Sequence, residues 1–206
     1  REVLRQPGVR SVTVVDLDPR VTSLFQSHDD LAALNDNALR DRRVTIINQD
    51  AWVFVAESRS LYVVIIADLP DPRSPALSKL YSTEFYSNVA RRLRSGGAFV
   101  TQAGSPVFAR KAFWSVVATV DEGFGAAATP YHVYVPSFGD WGFAMATASA
   151  SVSLRAPQDS AYPTKDTWEA AQVFGGDAGR LPVTVNSIND HPLIRYYEEG
   201  WAHWYR

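Results

Sequence analysis

Residues 62–72, with the sequence YVVIIADLPDP, decide the fold class of this 206-residue chain. Their first part is a continuous apolar run rich in β-branched residues, which is typical of a strand buried on both faces of a parallel sheet. Their last part is an acidic turn in which Asp68 and Asp71 flank a proline. We therefore predict a strand over residues 62–68 whose carboxyl end carries two acids.

On both sides of this strand, short apolar runs alternate with stretches of helical spacing. The predicted strands are 11–16, 44–48, 62–68 and 98–102. One predicted helix begins at Pro19, and three others cover residues 51–58, 80–93 and 107–120. Gly96–Gly97 is expected to close the helix over 80–93. Such alternation predicts an α/β protein with a doubly wound, mostly parallel sheet.

Beyond residue 120 the pattern changes. Residues 131–136 and 142–148 predict two neighbouring strands, which we expect to form a carboxyl-terminal antiparallel pair. Residues 149–165 are rich in Ser, Ala and Pro and predict a surface loop. Helices are expected at 168–174 and 192–205. The simplest interpretation is a single domain over residues 1–206.

Composition excludes several classes of function. The formal net charge of -2 provides no basic field for nucleic acid or anionic membrane. The absence of cysteine excludes disulfides, thiolate zinc sites and thiol nucleophiles. No apolar run reaches the ~18–20 residues of a membrane helix. The four histidines (His28, His132, His191 and His203) lack the spacing of metal ligands.

Acidic residues follow three of the predicted strands. Ligands of open α/β sheets bind at the carboxyl ends of strands, so we expect Asp16, Asp50 and Asp68 to converge there. Asp16 could bind ribose hydroxyls and Asp50 an adenine amino group; the alternative is that Asp16 or Asp18 caps the helix after the first strand and that Asp50 caps the next helix. Of Asp68 and Asp71, one could take a proton from an attacking amine and the other bind a second cationic nitrogen. A solvated polar turn is the alternative.

Six segments in order resemble the spermidine synthases. They are VVDLDP, NQDAW, IIADLPDP, LYSTEFY, GGAFVTQAGSP and VPSFGDWGF. The resemblance runs from Arg1 to about Ala148 and is closest to the bacterial branch with amino-terminal membrane helices. It implies a Rossmann-like fold of the class I methyltransferase type. The implied reaction moves the aminopropyl group of decarboxylated S-adenosylmethionine to putrescine or a similar diamine, giving spermidine and methylthioadenosine without metal or other cofactor.

The resemblance also implies roles for individual residues. Asp68 occupies the position of the catalytic aspartate that activates the attacking amine. Asp16 occupies the position of the acid that holds the ribose hydroxyls. Asp50 and the backbone amide of Ala51 occupy the positions that bind adenine.

The diamine side is implied to contain one acid, one amide and an aromatic wall. Asp71 would hold the polyamine, and Gln102 would contact the diamine or, alternatively, be a strand-end side chain bonded to backbone. Phe138 and Trp141, with Tyr131 nearby, would line the methylene chain and add cation–π attraction. The alternative for Tyr131 and Trp141 is a role in filling the core. In many relatives a tyrosine occupies the position near Phe138, so we expect one polar contact to be missing.

Three features that the resemblance implies have no counterpart in residues 1–206. They are the first strand, the glycine-rich loop after it and the amino-terminal β-hairpin domain; Arg1–Leu4 resembles the helix that follows the loop. The first strand belongs between strands 11–16 and 62–68, and an empty place would leave buried backbone groups unpaired. We therefore expect that those two strands do not pair directly and that residues 1–206 alone bind nucleoside poorly.

The resemblance further implies a homodimer and a cytoplasmic domain of a parent protein in the bacterial inner membrane. Two other functions remain open. One is an S-adenosylmethionine-dependent methyltransferase, which would use Asp16 and Asp50 in the same way. The other is a non-catalytic polyamine- or nucleoside-binding domain. The pair Asp68 and Asp71, together with VPSFGDWGF, favours a cationic acceptor.

Overall fold

The structure is a computed structural model that describes residues 1–149, 163–202 and 204. The chain forms two compact units, Arg1–Ser58 and Arg59–Arg206. The strands are β1 Val12–Asp16, β2 Val44–Asn48, β3 Tyr62–Ala67, β4 Leu93–Gly104, β5 Thr129–Val135 and β6 Gly139–Thr147. The α-helices are α1 Glu2–Arg5, α2 Pro19–Ser27, α3 Asp29–Leu34, α4 Ala51–Glu57, α5 Pro75–Ser78, α6 Thr83–Ala90, α7 Arg110–Phe124, α8 Lys165–Ala170 and α9 Pro192–Ala202. Short 3-10 turns cover Ala38–Arg40 and Lys79–Tyr81.

The first unit contains the parallel pair β1 and β2, in register from Val12 to Asp16. Helices α2 and α4 are each capped by the aspartate that directly precedes their first residue. The carboxylate of Asp18 accepts a hydrogen bond of 2.8 Å from the backbone N of Arg20. That of Asp50 accepts one of 2.8 Å from Trp52 N. The capping roles considered for Asp18 and Asp50 are therefore confirmed.

The second unit contains a four-stranded sheet in the order β3-β4-β6-β5. Strands β3 and β4 are parallel, whereas β6 is antiparallel to both of its neighbours. The predicted carboxyl-terminal antiparallel pair is confirmed. Helices α6 and α7 pack on this sheet, and Phe113, Val117 and Val120 of α7 are fully buried. This layer between helices and sheet forms the core of the unit.

The helix predicted over residues 80–93 is wrong at both ends. Ser82 interrupts it, because its hydroxyl accepts a hydrogen bond of 3.2 Å from Phe85 N and thereby starts α6. Leu93 already pairs with Tyr62 as the first residue of β4. Helix and strand are thus joined by only two residues.

The prediction that Gly96–Gly97 ends a helix is also wrong, because both glycines lie inside β4. The pairing with β3 is irregular at this point. A Cβ at Gly97 would lie 2.9 Å from the Arg94 carbonyl oxygen and 3.0 Å from that of Val63. The glycine is needed for close approach of the two strands.

Predictions for the carboxyl-terminal part are correct in kind and shifted in position. Helix α8 begins before residue 168 because Thr164 and Thr167 form a capping box. Helix α9 covers Pro192–Ala202 of the predicted 192–205, of which residues 203 and 205 lie outside the described part of the chain. Of the predicted loop 149–165, residues 150–162 lie outside the described part of the chain. None of the helices in the described residues is long and apolar enough to cross a membrane.

Strand β3 is formed as predicted, but the expected burial of both faces is wrong. Val63, Val64 and Ile66 are 60%, 56% and 58% exposed. In the part of the chain that the structure describes, β3 is the outer strand of its sheet with β4 as its one neighbour, so fewer residues cover its faces. As expected from the sequence, β1 and β3 do not pair in the described residues and belong to different sheets.

Candidate active site

The two acids of the turn after β3 have different surroundings. The Asp68 side chain is exposed, and no hydrogen bond from the described residues reaches its carboxylate. Asp71 is partly buried, with 30% of its side chain exposed. Asp68 is thus open to a ligand, whereas Asp71 is already fixed by the protein.

A buried amide and a buried hydroxyl hold the backbone of this turn. The side-chain nitrogen of Gln102, near the end of β4, donates to the Leu69 carbonyl at 2.6 Å and to the Tyr81 hydroxyl at 2.7 Å. The Tyr81 hydroxyl lies 3.1 Å from the Leu69 oxygen and 3.2 Å from that of Pro70. The residues between the two acids are therefore anchored to the core.

The ionisation state of Tyr81 supports this arrangement. Burial raises its pKa well above the usual value, and the carboxylates of Asp71 and Asp68 act in the same direction. The phenol therefore stays protonated and can donate to the turn.

The predicted amide contact of Gln102 takes a particular form. Both of its N–H groups are used by Leu69 and Tyr81, and its Oε1 accepts a hydrogen bond of 3.1 Å from Trp141 Nε1. One of these bonds is to backbone, as in the backbone-bonding alternative, and the other two are to side chains, so Gln102 braces the turn. One lone pair of Oε1 is left for a ligand donor, so the contact with a diamine stays a prediction.

The structure brings two predicted aromatic residues to this amide. Trp141 is half-buried beside Gln102, and the Phe138 ring lies 5.1 Å from the Trp141 ring. Phe138 is 56% exposed, which is unusual for a ring that only fills a core. Tyr131, in contrast, stacks on Phe143 at 5.1 Å, in keeping with the packing alternative.

Asp71 lies in a cluster that the sequence did not indicate. The Tyr197 hydroxyl of α9 donates to Asp71 Oδ2 at 2.6 Å. Arg73 approaches the same oxygen at 3.4 Å and donates to the Tyr197 hydroxyl at 3.2 Å. A small pocket is lined by Asp71, Tyr81, Gln102 and Tyr197. The spacing of Leu193 and Tyr197 marks one face of a helix but does not name its partner.

The residues predicted to bind the nucleoside lie in the first unit. Asp16 ends β1 opposite Asn48 of β2, so Asp16 and Asp50 lie at the same edge of the parallel pair. Asp16 Oδ1 accepts a hydrogen bond of 2.8 Å from Asp18 N. Asp50 and Ala51 form the start of α4. The structure therefore brings these three residues to the carboxyl ends of β1 and β2.

In the described residues, no group of three or more His, Asp or Glu side chains is arranged to hold a metal ion.

Comparison with known proteins places the chain in a family. The family model of the spermine/spermidine synthase domain matches residues 1–156. The chain belongs to the spermine/spermidine synthase family. A polyamine aminopropyltransferase of Leptospira interrogans is 38% identical over 203 residues. Polyamine aminopropyltransferase 2 of Ralstonia nicotianae is 42% identical over 205 residues.

The chain spans only part of its relatives in this family. It is covered to 98% in both alignments, but it accounts for 40% of the length of each of the two relatives. Helix α9 lies outside the residues matched by the family model and inside these longer alignments.

Solved structures of the family share the fold. Spermidine synthase from Thermotoga maritima superimposes with a TM-score of 0.67 at 18% identity, over 85% of this chain and 61% of that one. A spermidine synthase in complex with the transition state analogue AdoDATO gives 0.68 at 19% identity, over 85% and 62%. The predicted doubly wound α/β fold of the Rossmann-like class is thereby confirmed.

Proposed function

We propose that the full-length gene product transfers the aminopropyl group of decarboxylated S-adenosylmethionine to putrescine or a similar diamine. The observation that carries this proposal is the anchored turn with Asp68 and Asp71 in a chain of the spermine/spermidine synthase family. The names of the relatives and the analogue bound to the solved neighbour agree with it.

The proposed reaction is one displacement. The lone pair of a neutral amine attacks the methylene carbon next to the sulfonium, and a C–N bond forms as the C–S bond breaks. The bonding pair goes to sulfur, which becomes the neutral thioether of methylthioadenosine. The nitrogen loses a proton to Asp68, and spermidine results when the acceptor is putrescine. Because the sulfonium is already an activated leaving group, the protein has to align the amine and accept a proton.

The acceptor has two nitrogens joined by an apolar chain, of which one reacts as the neutral amine and the other stays an ammonium. We assign its unreactive ammonium to Asp71 and its methylenes to Trp141 and Phe138, whose exposed faces suit such a chain. Gln102 holds the turn and can accept one N–H from the amine.

The donor nucleoside is assigned to the edge of β1 and β2. Asp16 would accept the ribose hydroxyls, as an acid at a strand end does in nucleotide-binding folds. Asp50 and the Ala51 amide would bind adenine, while Asp50 also caps α4. A test is nucleoside binding by Asp16→Asn, which should weaken donor binding more than diamine binding.

Asp68→Asn in the full-length gene product tests the catalytic assignment. The amide cannot accept the proton, so we expect loss of turnover with donor binding retained. The measurement is methylthioadenosine formation with a panel of diamines, beside calorimetric binding of the donor. Turnover near the wild-type rate would refute the base assignment, and transfer of a methyl group instead would favour the methyltransferase alternative.

The proposal includes three features of the complete protein. A strand from outside residues 1–206 would cover the outer edge of β3, and the exposure of Val64 and Ile66 supports this. Homodimer formation and attachment of this cytoplasmic domain to the bacterial inner membrane are supported by the sequence resemblance. Sizing chromatography and membrane fractionation of the full-length gene product test them.

A further inference from the structure

Helix α9 supplies a hydroxyl to the acceptor side of the proposed site. Tyr197 is 5% exposed, and its hydroxyl lies 2.6 Å from Asp71 Oδ2. The two residues are 126 positions apart in the chain. A buried hydroxyl that could have faced an apolar neighbour is instead directed at one carboxylate oxygen.

The contact is part of a closed triangle of three side chains. Arg73 donates to the Tyr197 hydroxyl at 3.2 Å, and its guanidinium lies 5.3 Å from the centre of the Tyr197 ring. The phenol therefore accepts from a cation and donates to an anion, which strengthens the donated hydrogen bond.

The geometry leaves one side of the carboxylate for a ligand. In the described residues, the hydrogen bond from Tyr197 and the contact of Arg73 both reach Asp71 Oδ2. Oδ1 carries neither contact, and 30% of the side chain is exposed. The carboxylate is held in one orientation, with its second oxygen available to an ammonium group.

The charge of the donor matters as much as its position. Burial raises the pKa of Tyr197 to about 12, and its hydrogen bond to Asp71 acts in the same direction. The phenol is therefore neutral at physiological pH, so it orients Asp71 without adding a charge of its own to the pair that Asp71 forms with Arg73.

The same helix reaches the aromatic wall. Trp201 lies one turn after Tyr197, and its ring centre is 6.4 Å from that of Trp141. Helix α9 thus contacts both the acid and the wall that the proposed function assigns to the diamine.

We propose that Tyr197 is a positioning residue for the acceptor, holding Asp71 in the orientation that binds the unreactive ammonium of the diamine. This inference rests on the proposed aminopropyl transfer. In that reaction Tyr197 does not touch the reacting atoms. Loss of the Tyr197 hydroxyl should therefore weaken diamine binding and leave the chemical step nearly intact.

The test compares Tyr197→Phe with Tyr196→Phe in the full-length gene product. Phe keeps the packing of each ring, and the Tyr196 hydroxyl bonds Thr184 rather than an acid. For Tyr197→Phe we expect the KM for the diamine to rise about tenfold, since a hydrogen bond to a charged group is lost. The kcat and the KM for the donor should change less than threefold, and Tyr196→Phe should resemble wild type.

A second readout separates positioning from folding. Butylamine carries one nitrogen, so its inhibition constant should be unchanged in Tyr197→Phe, whereas that of a non-reacting diamine analogue should rise about tenfold. An unchanged diamine KM overturns the inference, as does equal weakening of butylamine or donor binding. If wild type transfers no aminopropyl group to any diamine, the proposed function fails and this inference fails with it. If wild type is active and only the variant comparison fails, the proposed function stands.

Discussion

The side-chain amide of Gln102 donates a hydrogen bond to the Tyr81 hydroxyl across 2.7 Å. Both groups also reach the Leu69 carbonyl, so an amide from β4 and a phenol near α6 together hold the turn between Asp68 and Asp71. Each is buried; loss of the Tyr81 hydroxyl would leave one N–H of Gln102 unpaired, and loss of the Gln102 amide would remove one of the hydrogen bonds to the Tyr81 hydroxyl. The shape of the turn thus depends on a pair of residues that need not touch the substrate.

This relationship predicts energetic coupling between the two side chains. Tyr81→Phe and Gln102→Leu should each lower the free energy of unfolding by about 1–3 kcal/mol, and the double variant should lose less than the sum. Urea denaturation of the four proteins measures the coupling. Gln172→Leu is the control, because its side chain is exposed and, among the described residues, its amide bonds the nearby Trp168 carbonyl. Simple additivity would contradict the shared role.

A second prediction concerns the packing of α9. A Cβ at Gly200 would lie 2.7 Å from the Cα and 2.8 Å from the Cβ of Ala109. Alanine favours an isolated helix by about 1 kcal/mol over glycine, but overpacking against backbone atoms costs about 1–3 kcal/mol. We expect Gly200→Ala to lower the melting temperature and, since α9 carries Tyr197, to raise the diamine KM.

The control for that substitution is Gly176→Ala, because a Cβ at Gly176 meets nothing within 4 Å. It should leave both the melting temperature and the diamine KM at wild-type values. A melting temperature of Gly200→Ala above that of wild type would mean that helix propensity outweighs the contact with Ala109.

Sequence reasoning succeeded where the cause is local. The caps at Asp18 and Asp50, and the strand before Asp68, depend on a few neighbouring residues, and the structure has each of them. It failed where two signals compete within a few residues. Ser82 starts a new helix inside an apolar helical pattern, and Gly97 serves strand approach although a glycine pair also suits a helix end.

The parts of the site that could not be predicted depend on distant contacts. Residues 71 and 197 meet only through the tertiary fold, and the spacing of α9 tells which face is apolar without naming what that face covers. Gln102 was found at its strand end, but its partners Tyr81 and Trp141 come from two other elements. A hydrogen-bond partner of a buried amide cannot be derived from its neighbours in sequence.

A third prediction concerns the outer edge of β3. A further strand can be tested by comparing the full-length gene product with residues 1–206 alone. If the strand covers this edge, the β3 amides that do not face β4 should exchange with solvent at least tenfold more slowly in the full-length gene product. Hydrogen exchange read by mass spectrometry measures this. Strand β4 has a neighbour on each side and serves as the internal control. Equal exchange rates of β3 in the two proteins would contradict the proposed strand.

The last prediction follows from the raised pKa of Tyr197. The phenol has a pKa near 10 in the unfolded chain and about 12 in the folded one. Its contribution to the free energy of unfolding is therefore complete below pH 10 and is lost as the pH rises through 12. The stability difference between wild type and Tyr197→Phe should therefore shrink by about 2 kcal/mol between pH 9 and pH 12. Tyr196 provides the opposite sign, since its hydrogen bond with Thr184 lowers its pKa, and wild type should gain slightly over Tyr196→Phe in the same range. Urea unfolding at closely spaced alkaline pH values measures both slopes, and a pH-independent difference for Tyr197→Phe would mean that the phenol is not buried beside Asp71 as the structure has it.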